Sequence, residues 1–206
     1  FYTNDILVRI MRWVMKNIET LYDEVKKLHE DHKALKDFID FPSDIVPKII
    51  EPHWVPAAGV LIKEKGLLSN NYKTLCDTII GSAKDVIWRE TYKGTNIGND
   101  FLDKFACYEI IGRDAPFASN KMRSFVIYQP PGVYYPWHQH PAEEIYVVLA
   151  GKAKFSLEKT AARILNPGDH AFHPSNQPHA LETLSHPVMA YVVWRNGFDT
   201  APTWTI

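Results

Sequence analysis

The sequence predicts a mainly β protein, a barrel or sandwich of short strands preceded by an α-helical N-terminal region. Three observations predict it. Over roughly the first 80 residues apolar side chains recur at three- and four-residue steps, the spacing of amphipathic helices. From Val86 onward the period changes to short runs rich in Val, Ile, Tyr and Phe, separated by turn residues, as in an all-β barrel or sandwich. A hydrophobic fraction of 46% with 13% aromatics over 206 residues is ample for a core of domain size. The chain divides accordingly into a helical region over 1–82, which packs on the barrel or on a partner subunit, and a β-barrel over 83–206.

Taken in order, Thr3, Asn4 and Asp5 offer a helix cap before a long run in which Leu7, Ile10, Val14, Ile18, Leu21, Val25, Leu28, Leu35 and Ile39 form one stripe. Trp13 and Tyr22 widen that stripe beyond a strict heptad seam, which favours packing on the domain over a coiled-coil arm. Pro42, Ser43 and Asp44 end the run and cap a short helix through Ile50, and Pro52 and Pro56 then break the chain. Residues 57–70 read as a connecting segment. Tyr72, Leu75, Cys76, Ile79 and Ile80 predict a second short helix, stopped at Gly81. The predicted strands are 86–92, 105–111, 122–129, 145–150, 152–158, 162–165, 169–173, 178–184 and 188–194. Ala150, Gly151 and Lys152 read as a tight hairpin turn, and Asn166, Pro167, Gly168 and Asp169 as a strong turn.

Composition removes several function classes. A formal net charge of -1 argues against an electrostatic nucleic-acid binder. No apolar run approaches the ~20 residues of a membrane span. Cys76 and Cys107 have neither the number nor the spacing of a disulfide framework or a thiolate metal site. They read as buried or half-buried free thiols, consistent with a reducing, cytoplasmic setting.

The stretch that carries chemistry runs from Gly132 to Gly151. His138, His140, Glu144 and Tyr146 share one parity, so an extended strand points all four to one face, while Ile145, Val147 and Leu149 fill the other. Two imidazoles and a carboxylate form a nitrogen and oxygen donor set suited to zinc, iron, manganese, nickel or cobalt. Tyr146 follows Glu144 by two positions. A neighbouring cation favours its phenolate, which makes it a base or a labile ligand; the other reading is an aromatic lining the barrel. His170 and His173 lie near the second site segment, where His173 could support a ligand from behind, and neither is given a role. His29, His32, His53 and His186 are scattered and read as structural or exposed.

Gly132, His138, His140, Glu144 and Gly151 match every fixed position of G-x5-H-x-H-x3-E-x6-G, a pattern that resembles the first signature motif of the cupin superfamily. Gly168, Pro174 and His179 fit that family's second motif, G-x5-P-x-G-x2-H-x3-N. Asn176 stands where the second glycine would be and Thr183 where the asparagine would be; asparagine tolerates the left-handed conformation well enough to preserve such a turn. The resemblance implies a cupin-type jelly-roll barrel in which His138, His140, Glu144 and His179 bind one divalent transition metal ion. It implies no particular reaction, because one fold hosts many.

A longer string narrows the reaction. Tyr135 stands three residues before His138, Tyr146 two after Glu144, and Trp194 on the last predicted strand. Together with a helical segment ahead of the barrel, these resemble the cupin lyases that cleave dimethylsulfoniopropionate, from about Cys107 to Trp194. The resemblance implies β-elimination to dimethyl sulfide and acrylate, with Tyr146 as base and Tyr135 orienting substrate or assisting proton transfer. The substrate would be a small zwitterion, a sulfonium carboxylate. Tyr134, Trp137 and Trp194 could line the pocket of its cationic end, since aromatic faces attract cations. An iron-dependent cupin dioxygenase, and a metal-bearing cupin that binds a small carboxylate or sugar without turnover, are the competing readings. No nucleic-acid or membrane partner is expected, and a homodimer is compatible with the helical arm.

Overall fold

In the computed structural model the backbone is described over residues 2–205 and the side chains over residues 16–205. The cap at Thr3, Asn4 and Asp5, and Leu7, Ile10, Trp13 and Val14 of the stripe, lie outside the described side chains. Ahead of the main run of strands lie α1 (Tyr2–Asp31), α2 (Lys33–Phe38), a two-residue strand β1 (Val46–Pro47), α3 (Pro56–Lys63) and α4 (Lys73–Gly81), with a short α5 (Asn99–Leu102) beyond the expected helical region. The strands that follow are β2 (Ala106–Ile111), β3 (Phe117–Ala118), β4 (Arg123–Gln129), β5 (Tyr134–Gln139), β6 (Glu143–Gly151), β7 (Ala153–Leu157), β8 (Arg163–Leu165), β9 (His170–His173), β10 (His179–Glu182), β11 (Val188–Arg195) and β12 (Thr203–Trp204). They form two sheets, a seven-stranded one in the order β1-β3-β2-β4-β11-β6-β9 and a five-stranded one in the order β12-β5-β10-β7-β8. The two sheets face each other as a cupin-type jelly roll.

Strand alternation builds two cores from one sheet. On β6, Ile145, Val147 and Leu149 point outward and meet Leu21, Val25 and Leu28 of α1, together with Leu35, Leu61 and Ile79 from the other helices. Tyr146 and Val148 point inward and meet Phe155 and Leu181 of the small sheet. With both faces covered, β6 reads as a continuous apolar run instead of an alternating one. The stripe members Leu21, Val25, Leu28 and Leu35 are fully or nearly buried, each burial stabilising by about 1.5–3 kcal/mol. No helix among the described residues is long and apolar enough to cross a membrane.

Several local expectations are corrected. No helix runs to Ile50: Val46 and Pro47 pair with Ala118 and Phe117. Pro47 disfavours helix at the residue before it, and Asp44 accepts hydrogen bonds from Ser119 Oγ at 2.7 Å and the Asn120 N–H at 2.9 Å instead of capping a helix. Residues 57–70 are not all connection, because Pro56 starts α3, where its missing N–H is no loss. Residues 86–92 form only isolated bridges, Ile87 to His53 and Trp88 to Tyr108, since Trp88 turns into the helical core and donates its indole N–H to the Ala83 carbonyl at 2.7 Å.

The turn at Gly151 is no hairpin. β6 pairs with β11 and β9, whereas β7 pairs with β10 and β8, so the chain changes sheets there. The stretch from His138 to Tyr146 is likewise two strands in two sheets, joined by a corner at 140–142. Asn176 does adopt the left-handed conformation, at φ 57°, and its N–H donates to the His140 carbonyl at 2.8 Å. Buried Thr183 holds the approach to β5: its hydroxyl accepts from the Val133 N–H at 3.0 Å and donates to the Pro130 carbonyl at 2.6 Å.

Candidate metal centre

The corner between β5 and β6 brings side chains from both sheets to one point. His138 on β5 lies opposite His179 on β10, and Glu144 on β6 lies opposite His173 on β9 and Trp194 on β11. His140 sits in the corner itself. Donor atoms of His140, Glu144 and His179 all lie within 4.8 Å of one another, and all three residues are buried. His138 stands beside this trio: its ring centroid is 4.1 Å from that of His179 and 6.3 Å from that of His140. The structure thus gathers three of the four expected ligands into one cluster and puts the fourth at its edge.

Hydrogen bonding sets the tautomers. The Nδ1 atoms of His138, His140 and His179 lie 2.8, 2.9 and 2.8 Å from the carbonyls of Pro136, Ala142 and Gln177. A carbonyl only accepts, so each Nδ1 carries the hydrogen and a neutral ring leaves Nε2 bare. The bare Nε2 atoms of His140 and His179 have no hydrogen-bond partner, yet stand 3.5 and 3.2 Å from Glu144 Oε2. Lone pairs facing lone pairs repel unless a cation or protons lie between them. Metal bonds of about 2.1 Å set neighbouring donor atoms roughly 3.0–3.4 Å apart, so the spacing and the donor types fit a divalent ion.

Glu144 is held from every side. Oε1 accepts the Trp194 indole N–H at 2.5 Å, and Oε2 accepts from His173 Nδ1 at 2.8 Å. Burial alone would raise its pKa, but the imidazoles, His140 first, hold it well below the usual carboxylate range. Burial, followed by the nearby His179, pushes His173 down to about 4 and His138 well below the ordinary histidine value. At His140 burial lowers the pKa, but the Glu144 carboxylate outweighs it and the net direction is upward.

The tyrosines complete the cavity. Tyr146 shares the inward face of β6 with Glu144, its ring 5.3 Å from that of His173. Its own surroundings, burial first and then the Glu144 charge, hold the hydroxyl protonated, well above the ordinary tyrosine value. Tyr135 stacks on His138 at 4.0 Å, and its hydroxyl pairs with that of Tyr92. Trp194 lines the cavity, anchored on Glu144 and packed 4.3 Å from the His140 ring. Tyr134 and Trp137, expected in the same lining, are not in it: Tyr134 is 47% exposed and Trp137 is half-buried. The irregularity where β5 meets β10 turns Tyr135 and His138 inward together. The lining takes Tyr92, Phe105 and Arg89 instead. No sequence pattern flags these three, which precede the barrel strands. Cys107 also lines the cavity, its thiol pushed up to about 11 by burial, and both cysteines are free and buried.

Fold and site together define a class, a cupin-type barrel with a buried His-His-Glu cluster and a tyrosine beside it. Residues 59–190 match the family model of the dimethylsulfoniopropionate lyases. The chain is 43% identical over 187 residues to the dimethylsulfoniopropionate lyase DddQ of Ruegeria pomeroyi, covering 91% of this chain and 93% of that protein. It superimposes on the crystal structure of DddQ from Ruegeria pomeroyi DSS-3 with a TM-score of 0.90 at 43% identity, over 92% of this chain and 96% of that one. A structure reported with the lyases RdDddP and RnDddQII gives a TM-score of 0.90 at 31% identity, over 94% of this chain and 100% of that one. The chain belongs to the dimethylsulfoniopropionate lyase family, and it is an enzyme.

Proposed function

We propose that this enzyme cleaves dimethylsulfoniopropionate to dimethyl sulfide and acrylate, with His138, His140, Glu144 and His179 holding one divalent transition metal ion. The observation that carries this reading is Tyr146, which stands on the same strand face as Glu144, two residues on, inside the cavity that the cluster closes. The cavity is lined largely by aromatic and apolar side chains, among them Tyr92, Phe105, Phe125, Tyr135 and Trp194, which favours an onium-bearing substrate over a sugar. A bound ion would supply positive charge that polarises the substrate carboxylate and offsets the burial and the Glu144 charge that keep Tyr146 protonated.

Tyr146, as the phenolate, takes the proton on the carbon next to the carboxylate and becomes the neutral phenol. The electron pair left behind becomes the carbon–carbon double bond of acrylate, the carbon–sulfur bond breaks, and its pair leaves on dimethyl sulfide. Tyr135 orients the substrate, its hydroxyl steadied by Tyr92. Trp194 offers an aromatic face to the sulfonium. The two free thiols support placing the enzyme in the cytoplasm.

The test is headspace dimethyl sulfide over purified protein incubated with substrate under anaerobic conditions, loaded in turn with zinc, iron, manganese, nickel and cobalt. Gas release without oxygen is expected, which no dioxygenase would give. Silence under every metal would sink the lyase. Tyr146→Phe is expected to lose elimination by about a hundredfold or more while elemental analysis still finds the metal; full activity in that variant would remove Tyr146 as the base.

A further inference from the structure

Strand β5, which carries His138, is not the edge of its sheet. Beyond it lies β12, which pairs Thr203 with Gln139 and Trp204 with His138. The Thr205 N–H extends the pairing by donating to the Trp137 carbonyl at 2.9 Å. Pro202, just ahead of β12, lines the cavity. The C-terminal stretch therefore runs beside a strand of the site and reaches the cavity itself.

The side chain that β12 contributes is the half-buried Trp204. Its ring lies 4.5 Å from that of Tyr92, tilted by 31°, and 6.3 Å from those of Tyr135 and His138, close to perpendicular to both. Tyr92 stands in a run of turns that belongs to neither sheet, so no strand ladder fixes it and packing must. Among the rings around it Trp204 is the nearest; Tyr135 lies at 5.7 Å, and Phe101 and Phe105 at 6.2 and 6.3 Å. The Tyr92 hydroxyl pairs with that of Tyr135, and both residues are buried. A buried hydroxyl left without its partner costs about 1–3 kcal/mol, so the pair holds together once Tyr92 is held. Tyr135 in turn stacks on His138 at 4.0 Å. A hydroxyl both donates and accepts, so the bond to Tyr92 aims the Tyr135 oxygen and still leaves it capacity for a substrate.

We propose that Trp204 is a positioning residue of this site: it holds Tyr92 in place and, through the Tyr92 hydroxyl, fixes that of Tyr135 in the cavity. The inference rests on the lyase reading for what Tyr135 then does to a substrate. The C-terminal strand is in this way part of the active site as well as of the small sheet.

Three measurements on the metal-loaded enzyme test this. Trp204→Ala is expected to lower kcat about tenfold or more with metal content unchanged, and Trp204→Phe, which keeps a ring against Tyr92, to recover most of the loss. Should Trp204→Ala fail to fold, Trp204→Leu, which fills the space without an aromatic face, takes its place in every comparison. Tyr92→Phe keeps the packing and removes the hydroxyl, and a similar loss is expected. The double variant should lose little more than either single one, because both act through one hydroxyl pair. Independently of turnover, the Tyr135 ring signal in tyrosine-labelled protein, assigned by its absence in Tyr135→Phe, is expected to shift in the same direction in Trp204→Ala and Tyr92→Phe. A kcat within twofold of wild type in Trp204→Ala, losses that multiply in the double variant, or a Tyr135 signal that Trp204→Ala leaves in place would each overturn the assignment. If the signal shifts as expected but wild type releases no dimethyl sulfide, the lyase reading fails and the positioning of Tyr135 stands.

Discussion

His173 shares Glu144 Oε2 with the bare nitrogens of His140 and His179, and it alone among the three approaches with a hydrogen-bearing Nδ1. That bond aims the carboxylate and leaves the remaining lone pair to a cation. Partners of this kind contribute about 10–100-fold to metal affinity, so His173→Ala is expected to weaken binding by that factor in competition against a chromogenic chelator. His173→Asn, which restores a donor, should recover part of it. Unchanged affinity in His173→Ala would reduce the residue to packing. The sequence marks His138, His140 and Glu144 by their shared parity and donor chemistry, and His179 only through the resemblance to the second cupin motif. It offers His173 only as support for a ligand, without a role, and does not mark Tyr92 or Arg89, because these residues meet the site across strand pairs or from a segment with no regular period. Register, not spacing, brings them in. The parity that aligned His138 with Glu144 assumed one strand, whereas the chain turns a corner between them and the two residues line the same cavity from different sheets.

At the scale of elements, the two glycines that bound the site stretch do different work. Both have positive φ, 74° at Gly132 and 69° at Gly151, which a side chain adopts at a cost of about 1–2 kcal/mol. A Cβ on Gly132 would meet nothing within 4 Å, whereas one on Gly151 would lie 1.9 Å from the Pro187 carbonyl oxygen. Backbone packs against backbone there because the chain leaves the large sheet for the small one. Gly151→Ala is therefore expected to destabilise by about 2–4 kcal/mol and Gly132→Ala by only about 1–2 kcal/mol, read as free energies from urea denaturation. Equal losses would show that conformation alone matters at Gly151. A turn residue in sequence says that the chain bends, not which strand it joins next, so a sheet crossing reads as a hairpin. Likewise Pro56 marks an interruption from one side and a helix start from the other, and only the buried Ala57, Ala58 and Leu61 settle which.

For the whole molecule, the helical stripe and the change of period make the helices-then-barrel order legible, since each period is a property of one element. The order of strands in the sheets is not legible, because alternation carries no record of the partner. The consequence of that order is mechanical. His138 and His179 belong to the small sheet and Glu144 to the large one, with His140 in the connection between them. An ion held by this set joins two layers otherwise held by side-chain packing. Ligand bound only by the folded state adds RT ln(1 + [L]/Kd), about 2.7 kcal/mol at a free concentration of 100 Kd. In a domain of this size each kcal/mol moves Tm by about 2–4 °C, so chelation of the loaded enzyme is expected to lower Tm by roughly 5–11 °C. His140→Ala should start near the lowered value and respond little to chelator, because the cross-link is already broken. A loaded wild type whose Tm ignores the chelator, with metal loss verified by elemental analysis, would mean that the two sheets close without help from the cluster.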